Sequence, residues 1–388
     1  MDIATFLHML HEDVGPTKQT AKKHLIHFTS ETDYLACKDE LLRMKTALTG
    51  LSGVQPLDII HAFSCTLCPD TKLKDFSSKT RIELDTKISL NRVTGRKPAP
   101  KRARILSSTR TRTIPWGVDQ IGAPEIWSKS VGQNIRVGVI DTGIDFKHPD
   151  LRNSISRGIN LLNRRLLPND DNGHGTHIAG TIAATGRYSG IVGVAPRAII
   201  HPVKAFDQNG SAYVSDIIAG IDWCVQNDLD IINMSFGMKT YNPTLEQAVM
   251  NAYYQGKVIV ASSGNDGKKK TVDYPARFPQ VVSVGATTRL GKIAPFSNRG
   301  SQIDIYAPGE RVYSAWLGGK YNELSGTSMA TAHVSGVIAL MLSLKPMSPL
   351  QIKNALRRCS FSLSKRVNAR WQPGNLNARR AIRAARQE

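Results

Sequence analysis

The sequence lacks the features of a membrane protein and of a disulfide-stabilised protein. Its 388 residues contain no apolar run close to the roughly 20 residues that a membrane-spanning helix needs. The five cysteines are odd in number and widely spread, which favours free thiols in a reducing compartment. Cys65 and Cys68 form a lone CxxC pair, and without a second pair a metal or redox site there is the weaker interpretation. With 41% hydrophobic and 21% charged residues, the composition is typical of a soluble globular protein.

Residues 1–18 do not match the pattern of a secretory signal peptide. Asp2 stands where a signal peptide carries positive charge, and polar residues between His8 and Asp13 interrupt the apolar stretch. We therefore expect an intracellular protein, most simply a cytoplasmic one. Secretion by another route, or a start site assigned at the wrong codon, stays open as an alternative.

Positive charge is abundant but unevenly distributed. The formal net charge is +20, and residues 95–113 contain seven basic residues and no acidic one. Residues 357–388 contain nine basic residues and one acidic residue. This distribution predicts a basic linker and a basic tail, so we expect no specific nucleic-acid partner. Binding of these two segments to an acidic partner is the alternative.

Residues 1–94 are predicted to form a small α+β unit. Alternating apolar residues predict strands at 23–28 and 80–90, and the apolar stretch 59–67 is also strand-like. Helical periodicity covers residues 33–48. Strands and helices are thus mixed within a unit too short for a large domain.

A linker, a larger domain and a tail follow. Residues 95–113 have two prolines, dense positive charge and no periodicity, which is typical of a linker. Over residues 114–360, near-continuous apolar strands alternate with helices, and this pattern predicts a parallel sheet covered by helices on both faces. The predicted strands are 133–140, 199–205, 231–234, 258–262, 281–284 and 303–306, and the predicted helices are 174–184, 214–225, 244–254 and 334–344. Residues 361–388 form a basic C-terminal extension.

Three polar residues stand where such a sheet places its active site, at the carboxyl ends of strands. Asp141 follows a predicted strand, His174 opens a predicted helix, and Ser328 precedes another. A serine hydroxyl needs a base to take its proton and a further group to orient that base. Each residue alone has a simpler interpretation: a strand-end aspartate, a helix-capping histidine and a helix-start serine. Together, with their flanking glycines, they favour a catalytic triad.

The motifs around these residues resemble those of subtilisin-family serine proteases. Asp141-Thr-Gly, His174-Gly-Thr-His and Gly-Thr-Ser328-Met-Ala stand in the family's order. The resemblance covers about residues 114–357, and residues 378–385 resemble the family's closing helix. It implies a parallel α/β sheet and serine endopeptidase activity, with the first histidine of its motif as the base.

The resemblance also assigns roles outside the triad. It makes His177 structural, and it implies that the side-chain amide of Asn265 donates to the oxyanion of the tetrahedral intermediate, together with the backbone N–H of Ser328. A turn-forming asparagine is the alternative for Asn265. Residues 1–94 resemble the family's inhibitory propeptide, with residues 81–85 as its last strand. Such propeptides assist folding and then occupy the active site.

Two stretches resemble the strands at which the family binds its substrates. One contains Gly210 and Ser211, and the other contains Ser235, Phe236 and Gly237. Each would pair with an extended peptide as an added β-strand, so main-chain hydrogen bonds would hold the substrate.

Asp273 lies in the stretch that aligns with a wall of the family's primary specificity pocket. Many members have a small residue at this position. A carboxylate on an otherwise apolar wall would favour lysine or arginine in the substrate. The alternative is that Asp273 points to solvent or is neutralised by a lysine among residues 268–270.

Asp150 is the one candidate metal ligand, for a structural calcium ion. Arg187 falls near the position at which the family offers an asparagine carboxamide as a second ligand, which makes calcium doubtful here. We expect instead an ion pair between Arg187 and Asp150, and no required cofactor.

The sequence therefore predicts a serine endopeptidase that is made as a self-processing zymogen. Its partners would be protein or peptide substrates and its own N-terminal unit, in cis or in trans, and we expect a monomer. The processing cut is expected between residues 90 and 113, because exposed linkers are where chains are nicked. Two alternatives stay open: a protease that cleaves mainly itself and keeps the unit bound as an inhibitor, and an inactive binding protein.

Overall fold

The computed structural model describes most of the chain, except for a few segments. The described residues are 2–14, 21–69, 71–91, 93–95, 112–187, 190–362 and 373–386. Most of the predicted linker, 96–111, therefore lies outside them. Among the described helices, none combines the length and apolar character that crossing a bilayer requires. All five cysteines are buried free thiols, as expected.

The N-terminal unit consists of two helices and a four-stranded antiparallel sheet, followed by two short strands. Its elements are α1 (Ile3–Asp13), β1 (Lys22–Phe28), α2 (Glu31–Met44), β2 (Gln55–Leu57), β3 (Ala62–Leu67), β4 (Thr80–Leu84), β5 (Lys87–Ser89) and β6 (Thr94–Gly95). The sheet order is β2-β3-β1-β4, and Ile26 of β1 lies opposite Phe63 and Ile82. Helix α1 was not among the predicted elements, although its aspartate cap, Asp2, accepts from the N–H of Thr5.

The second half of strand β1, from Leu25 to Phe28, is buried on both faces of its sheet. Ile26 and Phe28 face the unit's own core, where Phe28 packs edge-to-face against Phe63. Leu25 points the other way and joins the apolar cluster of the larger domain. Successive side chains of a strand point to opposite faces, so one strand serves two cores.

The larger domain is organised around one sheet. Its elements are α3 (Trp116–Gln120), β7 (Arg136–Asp141), β8 (Ile159–Asn160), α4 (His174–Ala183), β9 (Ile199–Lys204), β10 (Ser211–Tyr213), α5 (Val214–Gln226), β11 (Ile231–Met234), α6 (Pro243–Tyr254), β12 (Val258–Ser262), β13 (Val282–Thr287), β14 (Ile305–Pro308), β15 (Val312–Trp316), β16 (Lys320–Ser325), α7 (Thr327–Leu342), α8 (Pro349–Cys359), β17 (Phe361–Ser362), β18 (Gly374–Asn375) and α9 (Ala378–Ala385). The sheet order is β17-β18-β14-β13-β12-β11-β7-β9-β8, and every described pair in it is parallel except β17 with β18.

Helices cover both faces of this sheet, which confirms the predicted fold class. Helices α4, α7, α8 and α9 contribute to one apolar cluster, and α5 and α6 contribute to the other. The first fifteen residues of α7, from Thr327 to Met341, are buried, because small side chains let it pass close to the strands. Parallel strands end on the same edge of the sheet, so polar residues that follow them are brought together.

The N-terminal unit packs on α5 and α6 through its sheet. Lys23 Nζ lies 2.7 Å from Asp216 Oδ1, the backbone N–H of Asp58 donates to Asp222 over 3.0 Å, and Asn251 Nδ2 donates to Ile59 O over 2.6 Å. Beyond the sheet, β5 pairs antiparallel with β10, and β6 pairs antiparallel with β16. The chain from β5 to β6 therefore joins two separate strands of the larger domain.

Candidate active site

Asp141 and His174 form a buried hydrogen-bonded pair. Asp141 ends β7, and the backbone N–H of Thr142 donates to its Oδ1 over 2.8 Å. His174 begins α4, and its Nδ1 lies 2.7 Å and 2.9 Å from the two carboxylate oxygens of Asp141. Burial alone would lower the pKa of His174, but the Asp141 carboxylate outweighs burial and raises that pKa above its ordinary value. The imidazole is thus oriented as a base whose Nδ1–H faces Asp141.

Two other residues of the histidine motif have structural roles. Gly173 has a φ of 106°, and a Cβ there would collide with the Trp316 ring, so glycine is required before the helix. His177 Nε2–H donates to the carbonyl oxygens of Val312 and Asn322 over 3.0 Å and 3.2 Å. Burial, with a smaller contribution from the neighbouring histidine, lowers the pKa of His177 to about 3, so it is neutral.

Ser328 is the second residue of α7, a helix that packs against α4. Its Oγ donates to the carbonyl oxygen of Ser235 over 2.8 Å. The Nε2 atom of His174 is buried and has no hydrogen-bond partner among the described residues. The structure therefore joins Asp141 to His174, while the Ser328 hydroxyl is turned toward Ser235 instead of His174.

The amide of Asn265 is oriented by the residue that begins α7. Its Oδ1 accepts from the backbone N–H and the hydroxyl of Thr327, over 2.8 Å and 2.7 Å. Because the oxygen is engaged there, Nδ2 faces the other way, and it would lie 3.1 Å from a Cβ placed on Gly326. The Asn265 amide N–H and the N-terminus of α7 thus lie on one side of the site, where negative charge is stabilised.

Gly210 and Ser211 bind an extended segment of the chain itself. Ser211 lies opposite Ser89 in the β5–β10 pair, and the N–H of Leu90 donates to Gly210 O over 2.8 Å. Gly210 has a φ of 72° and lies against the Leu90 side chain. Strand β5 and Leu90 therefore pair with the predicted substrate edge in the way that an extended substrate would.

The other predicted edge, Ser235 to Gly237, makes no strand pair within the described residues. The Phe236 ring is buried against Phe206, with ring centroids 5.1 Å apart, in an apolar cluster that includes Ile88 and is contacted by Leu90. Gly237 faces Asn91, whose Nδ2 would lie 3.1 Å from a Cβ on that glycine. At Gly237 this edge leaves space for a neighbouring side chain, because glycine has no side chain of its own.

A third edge was missed at the sequence level. Strand β6 pairs antiparallel with β16, with Thr94 opposite Ser325 and Gly95 opposite Leu324. Leu324 and Ser325 closely precede Ser328 in the chain. Thr94 and Gly95 are therefore held near the serine. Leu324 and Ser325 belong to no recognisable motif. Only their position just before the serine motif could have indicated a role for them.

Asp273 is buried and paired, so the part of the alternative in which it points to solvent is wrong. Lys239 Nζ lies 3.0 Å and 2.9 Å from its two carboxylate oxygens, and it also pairs with Asp266. Asn298 Nδ2 donates to Asp273 Oδ1 over 3.4 Å. Burial raises the pKa of Asp273, and Lys239 opposes that rise. Neutralisation was the other part of that alternative: Lys239 is the lysine that bonds to Asp273, and Lys268 adds a smaller electrostatic contribution.

Asp150 does not form the expected ion pair with Arg187. Its Oδ2 accepts from the N–H of Ile191 over 2.9 Å and from the hydroxyl of Tyr321 over 2.7 Å, whereas Arg187 is exposed. Its Oδ1 faces Gly190, where a Cβ would collide with it, and has no hydrogen-bond partner in the described part of the chain. No group of three histidine, cysteine, aspartate or glutamate side chains suited to a metal occurs among the described residues. One carboxylate oxygen does not by itself define a calcium site.

Comparison with known proteins shows similarity over the larger domain. A family model described as the Subtilase family matches residues 132–377. Subtilisin DY of Bacillus licheniformis is 40% identical over 257 residues, which are 65% of this chain and 93% of that protein. Subtilisin E of Bacillus subtilis is 43% identical over 240 residues, which are 61% of this chain and 62% of that protein. A thermostable alkaline protease of Halalkalibacterium halodurans is 44% identical over 239 residues, or 61% of this chain and 65% of that protein. The first six strands, β1 to β6, precede the segment that the family model matches.

Proposed function

Since this chain belongs to the subtilase family and is a serine-type endopeptidase, we propose that Asp141, His174 and Ser328 are its catalytic triad. The observation that supports this most is the buried bond from His174 Nδ1 to Asp141, beside the N-terminus of α7. Nε2 of His174 is buried and has no hydrogen-bond partner among the described residues. A buried polar atom without a partner requires an explanation. A base waiting for a hydroxyl proton explains it.

Acylation moves one proton along this set of residues. The Ser328 hydroxyl first turns from Ser235 O toward His174 Nε2. Its Oγ then attacks the carbonyl carbon of the scissile bond while Nε2 takes the proton. Asp141 stabilises the imidazolium that forms, because both of its oxygens already lie within 2.9 Å of Nδ1.

The tetrahedral intermediate carries a negative oxygen, and two donors would bind it. One is the Asn265 amide, whose orientation Thr327 fixes, and the other is the backbone N–H of Ser328 at the helix N-terminus. His174 then gives its proton to the leaving amine, and the acyl-enzyme forms. Water then attacks the ester with His174 as base, which releases the acid product and restores the Ser328 hydroxyl.

We further propose that the chain is a zymogen that cuts itself. The segment from β5 to β6 pairs with an edge strand before the site and with another after it, as a bound peptide substrate would. The N-terminal unit would then act as the inhibitor that delivers this segment. Leu25 and Ile88 of that unit lie in the same apolar cluster as residues of α5 and α6, which supports docking of the whole unit.

A second candidate function is a protease that cleaves mainly itself. The polar contacts of Lys23, Asp58 and Ile59 with α5 and α6 lie away from the segment that would be cut. They would persist after cleavage, which favours retention of the unit over its active site. Labelling of Ser328 with a serine-directed phosphonate separates the two candidates.

The proposed function is tested by hydrolysis of casein with and without a serine-directed phosphonate. We expect the purified chain to shorten, to hydrolyse casein, and to lose this activity as one phosphonate adds to Ser328. The labelled peptide and the intact mass are read by mass spectrometry. A shortened chain that neither hydrolyses casein nor takes up phosphonate would favour the self-limited protease. An uncut chain that takes up no phosphonate would contradict the proposed function.

Asn265→Ala is expected to lower kcat by about 10²–10³-fold with little change in KM. Only the charged intermediate needs the amide, so the loss falls on turnover and not on substrate binding. Kinetics on one peptide substrate would measure this, with Asn163→Ala, at an exposed asparagine, as the control. An equal loss in binding and turnover would remove Asn265 from the oxyanion site.

A further inference from the structure

The side chain of Asn91 occupies the pocket that Asp273 lines. Asn91 is buried, and its Nδ2 lies 3.3 Å from Ser262 Oγ. A Cβ on Gly237 would lie 3.1 Å from Asn91 Nδ2 and also 3.1 Å from Asp273 Oδ2, so both side chains lie against the same glycine. The chain's own side chain in this pocket is thus an asparagine, and not a basic or a large apolar residue.

The residues on either side fix the register of this occupant. Upstream, Leu90 bonds to Gly210 through its N–H. Downstream, Val93 lies against Gly326, with its Cγ1 3.3 Å from a Cβ placed there, and Thr94 pairs with Ser325. Val93 therefore lies beside Gly326, the N-cap residue of α7. The bond that follows the pocket residue is the one a serine protease cuts, and in the sequence it joins Asn91 to Arg92.

Ser262 presents an acceptor to this pocket. Its hydroxyl proton is donated to Phe236 O over 3.2 Å, which leaves its oxygen lone pairs for a donor from the pocket. The NH₂ of a carboxamide is such a donor, whereas a carboxylate can bond to Ser262 only if the hydroxyl gives up Phe236 O and turns to donate to the carboxylate. Asparagine and aspartate have nearly the same shape, so Ser262 discriminates between them by hydrogen bonding alone.

Lys239 closes the pocket wall to cationic side chains. It occupies both oxygens of Asp273, and Asn298 adds a further bond, so the carboxylate is already compensated. A substrate lysine or arginine would have to displace Lys239 or lie beside its ammonium group. Asp273 also fills volume, because a Cβ on Gly264 would collide with its Oδ2. The remaining space suits a short polar side chain.

We propose that Lys239, by pairing with Asp273, makes this pocket select asparagine at the residue before the cut, and that the chain is processed after Asn91. This inference rests on the proposed function. It also reverses the preference for lysine or arginine that Asp273 alone suggests. Lys239 acts through Asp273 and is a positioning residue for specificity.

The first test is processing of the full chain, followed by intact mass. Wild type is expected to give a new N-terminus at Arg92, and Asn91→Asp and Asn91→Arg are each expected to slow that cut by about 10-fold or more. Peptides with the sequence of residues 87–95 and with Asn, Asp, Arg or Leu at the varied position extend the measurement to kcat/KM. We expect the Asn peptide to be preferred over each of the others by a similar factor.

The second test exchanges the specificity. Lys239→Met leaves Asp273 without its ammonium partner, so the ratio of kcat/KM for Arg over Asn is expected to rise by about 10-fold or more. The same substitution should restore processing of the Asn91→Arg chain. Lys269→Met is the matched control, since Lys269 is an exposed lysine with no bond to Asp273 in the described structure, and it should leave the ratio unchanged. If Lys239→Met does not fold, Lys239→Met with Asp273→Asn removes the buried charge and should keep the preference for asparagine without gaining arginine.

The outcomes separate the inference from the proposed function. Cleavage that depends on Ser328 but prefers Arg or Leu in wild type, or processing at another bond, overturns the inference and leaves the protease assignment in place. An unchanged Arg-to-Asn ratio in Lys239→Met overturns the role of Lys239. A wild-type chain that stays whole overturns the inference, and phosphonate labelling then decides whether the proposed function fails with it.

Discussion

Ser328→Ala is expected to leave the chain uncut and to lower peptide hydrolysis by roughly 10⁶-fold. The substitution removes the only atom that forms the acyl bond, while the oxyanion donors and the substrate edges persist. Intact mass over time measures processing, and hydrolysis of casein measures turnover. The fold should be retained, because alanine is a good residue for the first turn of a buried helix.

The control for this variant lies at the C-cap of the same helix. Ser343→Ala removes a serine hydroxyl that lies 2.7 Å from Ser130 Oγ, at the other end of α7 and about 22 Å away from Ser328. It is expected to lower stability by about 1 kcal/mol and to leave hydrolysis intact. Normal processing in Ser328→Ala would show that another nucleophile makes the cut.

Asp141→Asn is expected to lower kcat by about 10⁴-fold at neutral pH while keeping the fold. The amide would donate to Nδ1 where the carboxylate accepts from it, so His174 would take the wrong tautomer and present N–H to Ser328. Asp119→Asn, at an exposed aspartate of α3, is the control for loss of one negative charge. A loss below about 10-fold would exclude Asp141 as the residue that orients the base.

The same variant has a signature in pH. His174 must be neutral to take the proton, so kcat/KM falls as the pH drops through its pKa. Asp141 raises the pKa of His174 above the ordinary value of 6.5, so wild type should lose activity at a higher pH than an unpaired histidine would dictate. Without the carboxylate this pKa falls, and the acid limb of the remaining activity should move to lower pH. An unmoved acid limb would show that Asp141 does not set it.

Sequence patterns predicted the sheet and the residues that follow its strands. β11 and β12 have the predicted bounds. α7 begins seven residues before the predicted helix, because the small residues of its first turns show no clear helical periodicity of apolar side chains. Asp141 and His174 meet because a strand end and a helix start meet at the same edge of a parallel sheet. That arrangement depends on the alternation of strands and helices, which sequence shows well.

Contacts between distant, unpatterned residues could not be predicted in this way. Lys239 and Asp273 are 34 positions apart, and nothing in the run near Lys239 marks it as a partner for a buried carboxylate. The lysines at 268–270 were nearer in sequence and seemed better candidates. The hydroxyl of Ser328 turns to Ser235 for a similar reason: a rotamer depends on its local surroundings, which a motif does not contain.

The two strand pairs made by β5 and β6 have a consequence for the order of events after a cut. While the chain is continuous, β5 cannot leave β10 without straining a short tether, so it is held there at an effective concentration in the millimolar range. A cut after Asn91 removes the tether on one side only, since the N-terminal unit keeps β5 and the larger domain keeps β6. From then on, occupancy of the Gly210 edge obeys mass action and depends on how dilute the protein is. Breaking the bond and vacating the cleft thus become separate steps, the first set by chemistry and the second by dissociation.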